Sequence, residues 1–557
     1  MKPGFLTPLK TPTLTRTAVA RPPKKWAKAS ILKKLPKIRP FALLLLLLTI
    51  VTLLGRFLTL PTFVESGDGL YFVRGLERYA MTEMRPHRPG FPVYLWLGHF
   101  FKLFTSNSEQ ALHLVGITSS SLTILPLAAL AGAARQASGG NSGQVCCAAL
   151  AAGFIWALIP LSWLVGSEIY SDSLALFLSL LMLWSCWRSL KYLFSEAPSP
   201  FLASKAHVGG WLILAGLVGG LLLGTRLSYA ALLLPLIYAT WLNRHLKVKW
   251  HNLTLLPLPW LVLVSFGAAV CSWLGWQWLM EGSAFFELLT AHFSDDYRIY
   301  DLTLSRDTPD LPTRLLVLSR VILVYGLGGW WSDVPWPRLL VSVTLVGPIL
   351  TGSYRLLKAA RQPVIKMLLL WLVPYLFITL TISHDLWMAR YTFPLVALLT
   401  MVAAIGLPNR PNLSYGWSAA IVLSLCIVTL PLAWQHKDSP PLGQRLVEYV
   451  HNNLKSTNSF VLISTTTHQA AFLSLFMSEH AADFDSRSLY PALLAGQVEQ
   501  LERQGRKAYL VWPTAAPSPG AGWTKVINLQ QARFMDSVMD ADNFLEISLY
   551  RHQVPSS

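Results

Sequence analysis

Long apolar runs separated by short polar loops dominate this chain. Runs of about 16–25 residues have the length of helices that cross a bilayer. About eleven of them are predicted to span the membrane, with an error of about two. They lie near 41–60, 110–134, 145–165, 173–193, 209–224, 226–242, 253–280, 338–356, 367–382, 392–407 and 415–433. The pattern therefore predicts a mainly α fold, a polytopic membrane helix bundle.

Two apolar stretches do not fit single straight spans. The run 209–242 is too long for one span and contains Arg226 near its middle, so it predicts two short helices hinged at 224–226. The stretch 314–331 is also apolar, but a span there would invert the side of every later loop. It is predicted to be an outer-surface or re-entrant helix.

The pattern changes after Pro431, where polar and apolar positions become mixed. Residues 436–557 are predicted to form a small α/β domain, with strands at 460–464, 508–512 and 544–550 and helices at 468–477 and 492–504. The chain then divides into a basic tail at 1–40, a membrane domain at 41–435 with outer loops 61–109 and 281–337, and this C-terminal domain.

Charge gives the bundle an orientation. The 557 residues are 53% hydrophobic and 13% charged, against about 25% charged in soluble domains. Residues 1–40 hold 11 Lys and Arg and no acid, and the loops after the sixth and eighth spans are also basic. The acids collect in loops on the opposite side, such as those that contain Asp68 and Asp172. The positive-inside rule then places the N-terminus in the cytoplasm and the C-terminal domain outside. The tail is predicted to touch anionic lipid rather than nucleic acid, because no basic fold with interleaved aromatics follows it.

Cysteines and paired acids give little sign of a metal. All five cysteines fall inside apolar runs, so neither a disulfide framework nor a zinc site is indicated. Without disulfide or N-glycan signals in the outer loops, we predict a multi-pass protein of a bacterial plasma (inner) membrane. Asp295 and Asp296 leave a divalent metal open, although adjacent acids in a polar loop are usually solvated. No cofactor is expected.

One acidic loop directly after the first span is the strongest candidate site. Asp68 stands between Gly67 and Gly69, and an acid kept this close to lipid needs a functional reason. A reaction that transfers a group to a hydroxyl or amine acceptor needs a base that removes the acceptor proton, and a carboxylate just outside the membrane can supply it. Tyr71 follows on a short interfacial helix. The alternative is an ordinary solvated aspartate at a helix end.

Further polar residues fall at other outer positions. Asp172, at the start of the fourth span, is either a helix N-cap or, with Glu168, a second carboxylate of the site. Cations are needed to neutralise a departing phosphate, and arginine does so with two parallel hydrogen bonds. The candidates for substrate binding are Glu168, Asp172, Arg226, His384, Arg390, Tyr71 and the proline-flanked His87 and Arg88. Snorkelling, pairing of Arg390 with Asp385, or a mere rim position are the alternatives.

Five short segments share one order and one side of the membrane. They are Gly67-Asp68-Gly69-Leu70-Tyr71, Pro89-Gly90-Phe91-Pro92, Tyr170-Ser171-Asp172-Ser173, Gly224-Thr225-Arg226-Leu227-Ser228 and Ala389-Arg390-Tyr391-Thr392-Phe393-Pro394. Together they resemble the GT-C membrane glycosyltransferases, in particular the family-39 group of protein mannosyltransferases and bacterial aminoarabinose and mannose transferases. The resemblance covers roughly residues 40–430. It departs where that group often has a second acid, since Gly69 follows Asp68 here.

The resemblance implies a function and roles. The donor would be a polyprenyl-phosphate-linked sugar, Asp68 would match the catalytic acid of the first loop, Asp172 the second acidic motif, and Arg390 a contact to the donor phosphate. We therefore predict a metal-independent, inverting hexosyl- or pentosyltransferase acting on a lipid, glycan or protein acceptor at the outer face. The alternatives are a transporter or flippase of lipid-linked sugars, a surface-glycan polymerase or ligase, and a non-catalytic scaffold.

Overall fold

A computed structural model of the chain gives the arrangement of its elements. It describes residues 38–64, 67–193, 205–250, 253–291, 310–381, 386, 388–454, 460–465, 486–489, 494–513, 519–520, 522–530 and 546–552. Several predictions lie outside these residues: the tail up to 37, His384 and Asp385, the Asp295–Asp296 pair and the helix at 468–477.

The described residues are mainly helical. The helices are α1 (Ile38–Leu58), α2 (Gly67–Glu77), α3 (Pro92–Lys102), α4 (Ser108–Leu122), α5 (Ile124–Ala137), α6 (Ser142–Leu158), α7 (Pro160–Ser167), α8 (Asp172–Leu193), α9 (Lys205–Thr225), α10 (Leu234–Leu242), α11 (Leu258–Glu281), α12 (Ala284–Ala291), α13 (Leu311–Arg320), α14 (Leu339–Lys358), α15 (Pro363–Thr381), α16 (Phe393–Gly406), α17 (Pro411–Asp438), α18 (Leu442–Asn453) and α19 (Leu494–Arg503). Short 3-10 turns cover Met81–Glu83, Leu227–Leu233, Trp336–Arg338 and Ala389–Thr392, and a π-helical turn covers Val321–Gly326.

The predicted membrane bundle is confirmed. Within the described residues, nine helices are long and apolar enough to cross a membrane, or ten if the bent pair α6–α7 is one span, and Leu227–Leu242 is a shorter apolar segment. The bend of 53° falls at Pro160, which cannot donate a backbone hydrogen bond and so breaks the ladder between α6 and α7. The chain is thus a multi-pass membrane protein, with a segment count close to the one predicted.

The hinge at 224–226 is confirmed, and one helix start was predicted wrongly. Helix α9 ends at Thr225, Arg226 is extended, and a 3-10 turn begins at Leu227. The span predicted from 253 begins only at Leu258, because β2 (Leu253–Pro257) pairs in antiparallel fashion with β1 (Lys247–Trp250). The apolar residues of β2 continue the hydrophobic run, so hydropathy alone does not mark the boundary.

The stretch predicted as an outer or re-entrant helix is helical from Leu311 to Gly326. It consists of α13, capped by the Asp310 side chain on the Thr313 amide, followed by the π-helical turn. It does not have the length and hydropathy of a membrane-crossing helix, whereas its neighbours α14 and α15 do.

The C-terminal residues form a five-stranded sheet with helices on both faces. The strands β3 (Phe460–Thr465), β4 (Ser486–Leu489), β5 (Lys507–Pro513), β6 (Trp523–Gln530) and β7 (Glu546–His552) lie in the order β4-β3-β5-β7-β6. Strand β3 is parallel to β4 and β5, and β7 is antiparallel to β5 and β6. Successive side chains of a strand point to opposite faces of the sheet. Leu462 of β3 accordingly packs with α18 on one face, and Val461 packs with α19 on the other. Strands β4 and β6 and helix α18 were not predicted.

Two glycines let α14 and α16 approach each other closely. A Cβ on Gly352 would overlap the backbone of Val402, and one on Gly406 would overlap the backbone of Pro348. Small residues at such crossings allow the close backbone packing on which membrane helices depend. The crossing holds together the ends of α14 and α16 on one side of the bundle.

Alanine at either glycine is therefore expected to destabilise the bundle. For Gly352→Ala or Gly406→Ala, we expect a lower midpoint of thermal unfolding by overpacking, at a cost of about 1–3 kcal/mol. Gly416→Ala in α17 is the matched control, because a Cβ there meets nothing within 4 Å and alanine is the better helix former. Equal midpoints for the three variants would contradict the close crossing.

Candidate active site

Two aspartate–arginine pairs lie together at one face of the bundle, which we call the site face. Asp68 Oδ2 is 2.7 Å from Arg390 Nη2, and Asp172 Oδ2 is 2.8 Å from Arg226 Nη1. The Tyr391 ring lies between the arginines, with its centroid 5.1 Å from the Arg226 guanidinium and 5.2 Å from that of Arg390. Four residues from four separate segments thus form one charged group.

Local structure places each of the four side chains. Asp68 lies in the first turn of α2, where the free amides of a helix start favour a carboxylate. The helix runs through Gly67 and Gly69, so the glycines do not bend the chain around Asp68 as a turn would. Asp172 begins α8, Arg226 lies in the break after α9, and Arg390 lies in the 3-10 turn before α16.

Exposure separates the roles of the two carboxylates. The Asp68 side chain is 31% exposed, whereas that of Asp172 is 0% exposed. Asp172 is bonded to Arg226, which also donates to Ser171 Oγ at 3.3 Å. Asp68 can therefore meet a substrate, while Asp172 is suited to hold Arg226 in place.

The surrounding cations keep Asp68 ionised. Burial raises the pKa of Asp68, but the charges of Arg390, His87 and Arg226 and the hydrogen bond from Arg390 together lower it by more than burial raises it. The resulting pKa is about 2. A pKa lowered by pairing stabilises the fold above the ordinary aspartate value of about 4 and loses that effect as the pH falls towards the folded-state value. Asp68 is thus a carboxylate throughout the neutral range.

His87 lies beside Asp68, and Tyr71 of α2 packs against His87. His87 Nε2 is 3.8 Å from Asp68 Oδ1, and the ring centroids of Tyr71 and His87 are 5.7 Å apart. Arg88 follows His87 in the same loop and is partly buried. The loop ends at Gly90, where φ is +93° and a Cβ would overlap Tyr79 and Gln277, so only glycine fits.

Glu168 has a buried histidine partner that was not predicted. It was expected to be a second carboxylate beside Asp172, but its Oε1 is bonded to His436 Nε2 near the end of α17. Both side chains are fully buried. The pair joins the start of α8 to the last long helix because the fold brings α7 against α17, a contact that sequence spacing does not reveal.

An apolar cavity lies next to Arg226. Its volume is about 160 Å³. Its lining is mainly apolar, with Phe91 and Trp273 as the largest members, and its polar members are Thr225, Arg226 and Gln277. A guanidinium at the edge of an apolar cavity suits a ligand with a charged group and a hydrocarbon part.

Aromatic residues of the site were missed in the sequence. Tyr391 separates the two arginines, and the Arg390 guanidinium lies 4.4 Å from the centroid of the Tyr170 ring. Tyr391 directly follows Arg390, and Tyr170 stands two positions before Asp172, so their positions within the motifs were the available signal.

The C-terminal sheet contacts the helix that carries Asp68. Leu70, two residues after Asp68, packs against the α18 side of this sheet.

Metal ligation has no support in the described part of the chain. No group of three or more His, Cys, Asp or Glu side chains there is arranged to hold a metal ion. The charges of the site are instead balanced by the two arginines.

A family model matches the part of the chain that carries three of the five motifs. Residues 79–251 match the model of the family described as Protein O-mannosyl-transferase TMEM260 N-terminal domain, a segment that includes Asp172 and Arg226. No curated protein matches the chain in sequence. The family match confirms the resemblance to membrane glycosyltransferases, and it supports a glycosyltransferase activity.

Two solved structures are similar over most of the chain. The crystal structure of ArnT from Cupriavidus metallidurans bound to undecaprenyl phosphate has 13% identity and a TM-score of 0.48, and the match covers 92% of this chain and 98% of that one. The same protein in the apo state has 13% identity and a TM-score of 0.49, with 91% and 97% covered.

Proposed function

We propose that this protein transfers a sugar from a polyprenyl-phosphate donor to an acceptor hydroxyl or amine at the site face. The observation that carries the proposal is the partly exposed Asp68 carboxylate held beside the buried Arg390 and the largely covered Arg226 at one end of a membrane bundle. The family match supports the activity class. Lipid donor, outer face, inversion and the role of Asp68 are the proposed details.

The chemistry of a single displacement uses each part of the site. Asp68 takes the acceptor proton as the acceptor atom bonds to the anomeric carbon. The bond from that carbon to the phosphate oxygen breaks with its electron pair, and polyprenyl phosphate leaves with one more negative charge. Arg390 and Arg226 stabilise this charge, which is the largest electrostatic demand of the step. The result is inversion at the anomeric carbon.

The cations suit a phosphate that carries a hydrocarbon chain. Arg390 Nε is buried and has no hydrogen-bond acceptor among the described residues, so the protein does not satisfy every donor of this guanidinium. The cavity beside Arg226 is lined mainly by apolar side chains. A lipid can reach such a site sideways from the bilayer, whereas a nucleotide sugar would leave the apolar lining unused.

Arg390 cannot fully serve both Asp68 and a donor phosphate. When the phosphate takes the guanidinium, Asp68 loses its strongest favourable charge and its pKa rises, which makes it a better base. The ligand-free ion pair thus keeps the base weak until the donor is bound.

The position of the charged pairs favours a transferase over a transporter. The pairs lie at helix ends on one face of the bundle, whereas transporters place such groups near the bilayer midplane.

The function is tested directly with the purified full chain in lipid nanodiscs. Labelled polyprenyl-phosphate sugars should give a glycosylated product, and the corresponding nucleotide sugars should not. The anomeric configuration of the product, read by NMR, should be opposite to that of the donor. Retention, or transfer from the nucleotide sugar alone, would overturn the proposal, and movement of intact lipid-linked sugar across liposomes without transfer would favour the flippase.

The pH dependence should separate the free from the donor-bound enzyme. Asp68 of the free enzyme has a pKa of about 2. The pH profile of kcat/KM for the donor, which reports the free enzyme, should therefore show no acidic limb from this group above about pH 4. The acidic limb of kcat should lie at higher pH, because it reports the donor-bound state. Arg390→Gln should move the limb of kcat/KM upwards, and His87→Asn controls for the imidazole's own ionisation. Coincident limbs in wild type would contradict release of the base by the donor.

A further inference from the structure

A second cluster of arginines lies at the opposite face of the bundle, where α5, α14 and α16 end and α6 and α17 begin. Arg135 Nη2 donates to Asn409 Oδ1 at 2.6 Å, and Arg355 Nη2 donates to the same oxygen at 2.9 Å. Two guanidiniums from helices that are far apart in sequence thus converge on one neutral carboxamide oxygen.

The remaining contacts of the cluster are also neutral. Arg135 Nη2 donates to Gln144 Oε1 at 2.8 Å, and Arg355 Nη1 donates to the carbonyl oxygens of Ile405 and Leu407. The segments 135–144, 355–363 and 405–411, which form this corner, contain no aspartate or glutamate. Neither arginine has a carboxylate partner among the residues that the structure describes.

The helix ends do not cancel this charge. Two helix starts add about one positive charge, and three helix ends add about one and a half negative charges. The helix ends and the guanidiniums of Arg135 and Arg355 then sum to about +1.5 by the same accounting. Lys358, Arg361 and Arg410 in the same segments add to this positive charge. A permanent positive excess on ordered side chains favours an anion at the convergence point.

The position and geometry suit a phosphate. Arg135 is 4% exposed, so its side chain is held in place. Its Nη1 and Nε have no hydrogen-bond acceptor within the described ranges, and Asn409, at the convergence point, is exposed. A planar guanidinium can donate two parallel hydrogen bonds to two oxygens of one phosphate. At the ends of five membrane helices, such a group meets the head groups of one leaflet.

We propose that Arg135, Arg355 and Asn409 form a phosphate-binding site, occupied by the head group of an anionic phospholipid or by a soluble phosphate. The bound phosphate neutralises the corner and ties together α5, α14 and the α16–α17 connection. The site is remote from the active site and is independent of the proposed function.

The test is the thermal unfolding of the full chain, delipidated in neutral detergent and followed by tryptophan fluorescence. Phosphatidylglycerol, phosphatidylcholine and inorganic phosphate are titrated separately. We expect phosphatidylglycerol, but not phosphatidylcholine, to raise the midpoint of wild type. Arg135→Gln should need about tenfold more lipid, the loss expected for a hydrogen bond to a charged group. Arg244→Gln, at a basic residue of a different loop, should respond like wild type.

Asn409→Asp distinguishes a phosphate site from simple structural hydrogen bonds. A carboxylate there would supply the missing anion, so its lipid-free midpoint should equal or exceed that of wild type and its response to lipid should be lost. An equal response of wild type to inorganic phosphate would support the site and assign it a soluble anion. No response of wild type to either anion, or a full response that persists in Asn409→Asp, would overturn the proposal.

Discussion

Replacing Asp68 with asparagine is expected to lower the rate of sugar transfer by about 10²–10⁴-fold, the usual contribution of a general base. Asparagine keeps the shape of the side chain and can still accept a hydrogen bond from Arg390, so the loop should stay folded. Single-turnover transfer with bound donor is the decisive measurement, because it isolates the chemical step from lipid exchange.

The same variant should bind the donor more tightly. In the wild type, Arg390 is engaged by the Asp68 carboxylate, and asparagine removes that competition for the donor phosphate. A lower rate combined with a lower Kd for polyprenyl phosphate would be difficult to obtain from mere damage to the loop. Damage would weaken binding and lower the unfolding midpoint together.

Asp333→Asn is the matched control for Asp68. Asp333 is also paired with an arginine, Arg320, but its side chain is 51% exposed and the pair lies outside the proposed site. Its transfer rate should be that of wild type. If Asp68→Asn also kept the wild-type rate, the assignment of the base would be wrong.

Removing the Asp172 carboxylate should cost stability rather than act on the proton transfer. Asp172→Ala leaves the Arg226 guanidinium, whose side chain is 13% exposed, without its buried counter-charge. Breaking a buried ion pair in this way costs about 3–5 kcal/mol. We expect a large fall in the unfolding midpoint, measured in the same detergent as wild type.

A double substitution separates the ion pair from the fold. Asp172→Asn combined with Arg226→Gln removes both charges. The unfolding midpoint should therefore recover much of what Asp172→Ala loses. Donor binding should be weaker than in wild type, because the second cation is absent. Asp333→Ala, which breaks an exposed pair, should change stability by no more than about 1 kcal/mol. A small loss for Asp172→Ala would show that the pair does not stabilise this face.

The different roles of Asp68 and Asp172 could not be predicted from the sequence. Both stand at a helix start after an apolar run, and Glu168 resembled a third member of the same group. Burial and partners separate them: Asp68 is open and shared with Arg390, Asp172 is enclosed with Arg226, and Glu168 is bonded to His436. Each partner is more than 50 positions away in the chain, so no local pattern could predict the pairing.

Elements with a strong local signal were predicted well. The apolar runs correspond to α1, α8, α9 and α14 to α17 within a few residues, and Arg226 marked the hinge after α9. The antiparallel pair of β1 and β2 was missed because its second strand continues an apolar run, and β4 and β6 were missed because their residues alternate weakly.

The sequence by itself determined that this protein is a membrane helix bundle followed by a mixed α and β region, because hydropathy and the spacing of apolar residues are local properties of the chain. Only the tertiary structure decided which charges meet. The free energy of an ion pair depends on distance and burial, and helix packing sets both. That packing places Arg390 on Asp68, Arg226 on Asp172, and two arginines on Asn409 at the far end of the bundle.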